Sequence, residues 1–91
     1  MDLRQLQTLV AVADTGSFAA AAALVNLTPS AVSQQIQALE AELGVALFDR
    51  NTRPRRLSAR GEDMVRASRA VVQTMAEARQ AISGGRKAGV L

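Results

Sequence analysis

Apolar residues recur along most of this chain at helical spacing, and the capping residues between them divide it into short elements. After Asp2, a plausible N-cap, Leu3, Leu6, Val10 and Ala13 fall at i, i+3, i+7 and i+10, which predicts a first helix ended by Thr15-Gly16. Ser17 caps a second, short helix from Phe18 to Val25, whose five consecutive alanines are the strongest helix formers and allow close helix contact. Asn26-Leu27-Thr28 makes a brief turn. Thr28 as N-cap with Pro29 at the first helical position then opens a third helix, because proline lacks an N–H that a helix start leaves unpaired anyway. Gly44 closes it.

The third helix has two contrasting faces when its residues are projected at 100° each. Val32, Ile36, Leu39 and Leu43 lie within about 60° and form a narrow apolar stripe, while Ser30, Ser33, Gln34 and Gln37 share an arc of about 100° on the far side. Solvated helix faces ordinarily carry Lys and Glu. Hydroxyls and amides without charge suit the reading of donor and acceptor patterns on base edges; a polar exterior with no partner is the plainer alternative.

Beyond Gly44, Val45 to Phe48 and Arg56-Leu57-Ser58 are two brief strand candidates flanking Asp49-Arg50-Asn51-Thr52-Arg53-Pro54-Arg55, so a small basic hairpin is expected, with Pro54 in its loop or at its edge. From Ser58, a possible N-cap, to Ser83 there is no proline and Gly61 is the only glycine, which predicts a helix of about 25 residues, ~37 Å long. Met64, Val71, Met75, Ala78 and Ile82 follow steps of three and four, with Ser68 in the missing register. The first turns are expected to pack on the body. The Val71 to Ile82 part has too little chain left to cover it, so a second copy of the protein is the expected partner. Gly84 to Leu91 is expected to be a flexible tail.

Composition narrows the function. The 91 residues include no His, Cys, Trp or Tyr, which removes imidazole bases, thiolate nucleophiles and the usual N/S zinc ligands. No catalytic residue, metal site or cofactor is expected. The longest apolar run, Phe18 to Val25, is far short of the ~20 residues of a membrane span, and the N-terminus lacks the pattern of a secretory signal, so the expectation is a cytoplasmic protein without membrane contact. Charge is unevenly spread. Arg4 alone stands against five carboxylates up to Asp49, whereas ten cations stand against three carboxylates from Arg50 onward. Five arginines fall between Arg50 and Arg60 with no acid among them, a patch suited to polyanions because guanidinium matches phosphate oxygens two at a time.

Three helices, a basic flap and a long helix form a mainly α architecture, a winged helix-turn-helix over residues 1–58 followed by a linker helix over 59–83. The residues Gly16-Ser17-Phe18, Ala21-Ala22, Thr28 to Ile36, Leu39-Glu40, Leu43-Gly44, Leu47 to Arg50, Arg53 and Leu57-Ser58 resemble the DNA-binding segment of LysR-type transcriptional regulators. The resemblance implies that the third helix enters the major groove, with Thr28, Pro29, Ser30, Ser33, Gln34 and Gln37 at or near bases and phosphates. It implies that Arg50, Arg53, Arg55 and Arg56 of the wing grip the backbone, and that Ser17 adds a phosphate contact at the start of the second helix. It further implies a homodimer through Met64, Val71, Met75, Ala78 and Ile82 of the linker helix. Gln34 stands where many members carry arginine, so base reading is expected through amides.

Members of that family are chains of about three hundred residues with a separate effector domain, and the expectation is that this chain is a fragment lacking it. The expected partner is duplex DNA with two-fold related half-sites, and RNA polymerase is a further partner open to the full-length protein. The competing expectation is a helical oligomerisation module that makes protein contacts and no specific contact with DNA.

Overall fold

The computed structural model describes residues 1–52 and 54–89, with side-chain surroundings described to residue 84. Three helices, α1 (Leu3–Thr15), α2 (Phe18–Val25) and α3 (Pro29–Leu43), precede two short strands, β1 (Phe48–Asp49) and β2 (Arg56–Leu57), and a long helix, α4 (Ala59–Gly89). The helix boundaries follow local capping chemistry. The Asp2 carboxylate accepts the Gln5 N–H at 2.9 Å while the Gln5 side chain accepts the Asp2 N–H at 3.1 Å, a reciprocal pair that satisfies two donors at the start of α1. Ser17 Oγ accepts the Ala20 N–H at 3.2 Å and Thr28 Oγ1 the Ala31 N–H at 3.1 Å. α1 and α3 end on Gly16 and Gly44 in the left-handed region, φ 71° and 72°, and α2 ends on Asn26 at φ 58°. Glycine and, next to it, asparagine adopt that conformation at least cost.

The core lies where the three short helices meet β1 and the first turns of α4. Leu9 and Val12 of α1, Ala21 and Ala22 of α2, and Val32, Ile36 and Leu39 of α3 close around Leu47, Phe48 and Val65. The buried alanines let α2 approach its neighbours closely, and the α3 stripe expected to be core is core. Thr8, almost fully buried, donates from its hydroxyl to Gln35 Oε1 at 2.6 Å and ties α1 to α3.

The antiparallel strands pair Phe48 with Leu57 and Asp49 with Arg56. β1 starts later than the apolar run beginning at Val45 suggests, because Leu47 is buried in the core and the carbonyls of Ala46 and Leu47 serve the start of α4. Ser58 Oγ donates to the Ala46 carbonyl at 2.7 Å and the Ser58 N–H to the Leu47 carbonyl at 2.9 Å. Ser58 Oγ also accepts the Gly61 N–H at 3.0 Å, the expected cap.

α4 crosses α1 with Gly61, Val65 and Ser68 buried and Met64 and Val72 half-buried, and the Arg69 guanidinium pairs with the Asp14 carboxylate on the flank of that contact. The hydrogen bond to Asp14 raises the Arg69 pKa above its ordinary value. α4 then leaves the body, and the radius of gyration of 15.2 Å exceeds the ~12 Å of a compact chain of this length. The helix runs past the expected stop at Gly84-Gly85 to Gly89. Gly16 and Gly44 stop helices where the chain turns back onto the body in a left-handed cap. Glycine costs a helix only ~1 kcal/mol, and α4 continues through Gly84-Gly85. The remainder of the expected tail, Val90 and Leu91, lies outside the described residues.

Candidate nucleic-acid interface

The exposed side of α3 and the wing open onto one groove. Ser33, Ile36, Gln37 and Glu40 of α3, Phe18 of α2, and Phe48, Arg50 and Arg55 of the wing line a concavity of about 330 Å³. A second concavity of about 220 Å³, lined by Gly16, Ser17, Phe18 and Arg55, adjoins it through Phe18 and Arg55. Gln37 Nε2 donates to Ser33 Oγ at 3.3 Å, one turn apart. Ser30 and Gln34 are exposed and share the helix face of Ser33 and Gln37.

Thr28 and Pro29 are exposed at the start of α3. The cap hydroxyls of Thr28 and Ser17 accept backbone N–H groups, which leaves the O–H of each free to donate outward. Arg56 is exposed on β2 opposite Asp49 and does not line the groove. Arg53 lies outside the described residues. Of the wing arginines assigned from sequence, the structure thus brings Arg50 and Arg55 to α3.

Glu40 is the one carboxylate lining this groove, and its Oε2 accepts the Leu47 N–H at 2.8 Å. Its charge is engaged in pinning the α3–β1 connection. The wing loop is shaped by its own side chains. Asp49 Oδ1 accepts the Asn51 N–H at 2.9 Å, and Thr52 Oγ1 accepts the Arg56 N–H at 3.1 Å. Uncharged hydrogen-bonding groups on a helix, flanked by cations on a flap, make a surface for a polyanion whose repeating units carry donor and acceptor edges.

Sequence reasoning passed over three residues that build this surface. Phe18 carries the Arg55 guanidinium 4.8 Å from its ring centroid. Glu40 holds the connection to the wing, and Gly61 admits the Leu47 carbonyl against α4. Glu40 and Gly61 offered no local signal, since each acts on a residue distant along the chain. Phe18 is one of only two aromatic residues, which was a signal.

The seam expected for dimerisation divides. Met64 packs against the core, whereas Val71, Met75, Ala78 and Ile82 are exposed, Ile82 at 62%. The buried stripe through Gly61, Val65, Ser68 and Val72 and the exposed stripe from Val71 to Ile82 lie about 80° apart around the helix.

The fold and this surface define a winged helix-turn-helix protein. Residues 3–62 match the bacterial regulatory helix-turn-helix proteins of the lysR family, and the chain belongs to that family. It is 41% identical over 80 residues to the lysine export transcriptional regulatory protein LysG of Corynebacterium glutamicum, covering 88% of this chain and 27% of that protein. Full-length LysG with bound effector arginine superposes with a TM-score of 0.83 at 40% identity, over 92% of this chain and 29% of that one. The crystal structure of the CbnR DBD–DNA complex matches with a TM-score of 0.79 at 34% identity, over 99% of this chain and 98% of the other. The chain therefore spans less than a third of the length of LysG, and its relatives are transcriptional regulators.

Proposed function

We propose that this chain is the sequence-specific duplex-DNA-binding part of a bacterial transcriptional regulator and acts as a homodimer on two-fold related half-sites. The observation that carries the reading is the shared groove, in which Ser33 and Gln37 of α3 face Arg50 of the wing. A structural relative of nearly the same length is a DNA complex, which supports it further. α3 enters the major groove, where Gln34 is suited to an adenine edge and Ser30, Ser33 and Gln37 contribute hydrogen bonds. Arg50, Arg53 and Arg56 meet phosphates, joined by the free O–H groups of Ser17 and Thr28 and by Pro29 packed at the backbone. The exposed stripe of Val71, Met75, Ala78 and Ile82 pairs with its counterpart on a second copy. RNA polymerase is a further partner open to the full-length regulator, and the reading places the protein on the nucleoid in the cytoplasm.

An anisotropy titration at several salt concentrations tests the assignment. Arg50→Ala should weaken binding to all sequences and flatten the dependence of log K on log salt by about one unit. Gln34→Ala should cost ~1 to 3 kcal/mol, chiefly on the selected site; equal losses on random and selected duplex would remove Gln34 from base reading. If the folded parent protein lacks micromolar affinity for mixed duplex in ~100 mM salt, the oligomerisation-module reading takes its place.

A further inference from the structure

We infer that Arg55 is a positioning residue, which latches the wing onto the α1–α2 turn so that Arg50 and the outer face of α3 present one fixed surface. The inference rests on the DNA-binding reading and changes the role that the sequence suggests for Arg55. The need for a latch follows from the wing itself. Its two strands share only two residue pairs, and an isolated two-stranded hairpin is marginal in water. The loop between the strands needs an external support.

Pro54 and Arg55 supply that support in three contacts with one short segment. The Arg55 N–H donates to the Gly16 carbonyl at 3.0 Å. The Pro54 ring rests on Gly16 so closely that a Cβ there would lie 2.8 Å from Pro54 Cβ. The Arg55 guanidinium sits 4.8 Å from the centroid of the Phe18 ring, where the π face attracts a cation. The side chain is half-buried, and among the described residues it forms no ion pair. A guanidinium whose role is to meet phosphate is better left exposed, as Arg50 and Arg56 are. Arg55 instead sits over the Phe18 ring, where it lines both concavities.

The two roles predict opposite rankings of variants. A latch is served by any long unbranched chain over the ring, so Arg55→Met should bind selected and random duplex within about twofold of the parent, with an unchanged salt slope, because methionine also packs favourably on aromatic rings. Arg55→Ala should weaken both about fivefold, and this loss should shrink in a Phe18→Leu background. In the free protein, hydrogen exchange at the Arg55 amide should be slow in the parent and Arg55→Met, and fast in Arg55→Ala. The inference is overturned if Arg55→Met binds as weakly as Arg55→Ala with a salt slope lower by about one, the behaviour of a phosphate contact. It is equally overturned if the Arg55 amide exchanges freely in the parent. A parent that binds no duplex would refute the functional reading, while the exchange measurement would still decide whether Arg55 latches the wing.

Discussion

Gly61 and Gly84 lie on the same helix, and replacing each by alanine should have opposite effects. At Gly61 the added Cβ would stand 2.0 Å from the Leu47 carbonyl oxygen, 2.9 Å from its carbon and 3.1 Å from Leu57 Cδ2. That carbonyl has little freedom to retreat, since it accepts the Ser58 N–H at 2.9 Å and the same residue's N–H is held by Glu40 at 2.8 Å. Overpacking of this kind costs ~1 to 3 kcal/mol, and disrupting the Ser58 bond adds ~1 kcal/mol. The better helix propensity of alanine offsets ~1 kcal/mol. The net expectation is a loss of ~1 to 3 kcal/mol, a substantial share of the ~5 to 13 kcal/mol typical of a domain this size. At Gly84 an added Cβ would meet nothing within 4 Å among the described residues, so only the propensity gain of up to ~1 kcal/mol operates. Urea unfolding followed by helical circular dichroism measures both, at one protein concentration because the stability of the proposed dimer depends on it. A Gly61→Ala midpoint at or above that of the parent would refute the claim that close approach of α4 to Leu47 holds the wing's base.

Three further outcomes are expected. Ser68→Ala should stabilise the protein by ~1 kcal/mol, because the Ser68 hydroxyl is buried and has no hydrogen-bond partner among the described residues; a lower urea midpoint would show that the hydroxyl is in fact satisfied. Changing exposed Val71 and Met75 together to glutamate should yield a folded monomer in sedimentation at micromolar concentration, and a persisting dimer would move the interface elsewhere. With no histidine in the chain, affinity for duplex at fixed salt should be flat between about pH 6 and pH 8. Arg69 stays charged throughout, as any guanidinium does at these pH values, and Asp14 raises its pKa further. A step in that window would show that DNA perturbs a carboxylate or the Met1 amine, whose pKa its hydrogen bond to Glu42 raises.

The helices of the body were legible in the sequence because their ends are decided by neighbours within a few residues. Asp2, Ser17, Thr28-Pro29, Gly16 and Gly44 act through their own side chains or backbone angles. The wing and the far end of α4 were less so. Where β1 begins depends on Ser58, which takes up the carbonyls of Ala46 and Leu47 from a distance. The glycine pair Gly84-Gly85 marks a stop in the sequence, yet α4 runs through it because glycine costs a helix only ~1 kcal/mol. In the candidate interface, the polar arc of α3 followed from helical periodicity. The separate fates of Arg50, Arg55 and Arg56 did not, because Arg55 is claimed by Phe18, 37 positions earlier in the chain.

The angular offset between the two stripes on α4 turns the helix into an indexing shaft. In the proposed homodimer each reading head is keyed to the shaft along one line and the shaft to its twin along another, so heading and separation are set by helical phase. One residue inserted between Ser68 and Val71 would swing a head by about 100° while moving it only ~1.5 Å; seven would restore its bearing to within about 20° and displace it by ~10 Å. In the proposed dimer, the spacing of the two reading heads thus follows from the angular offset between the two stripes.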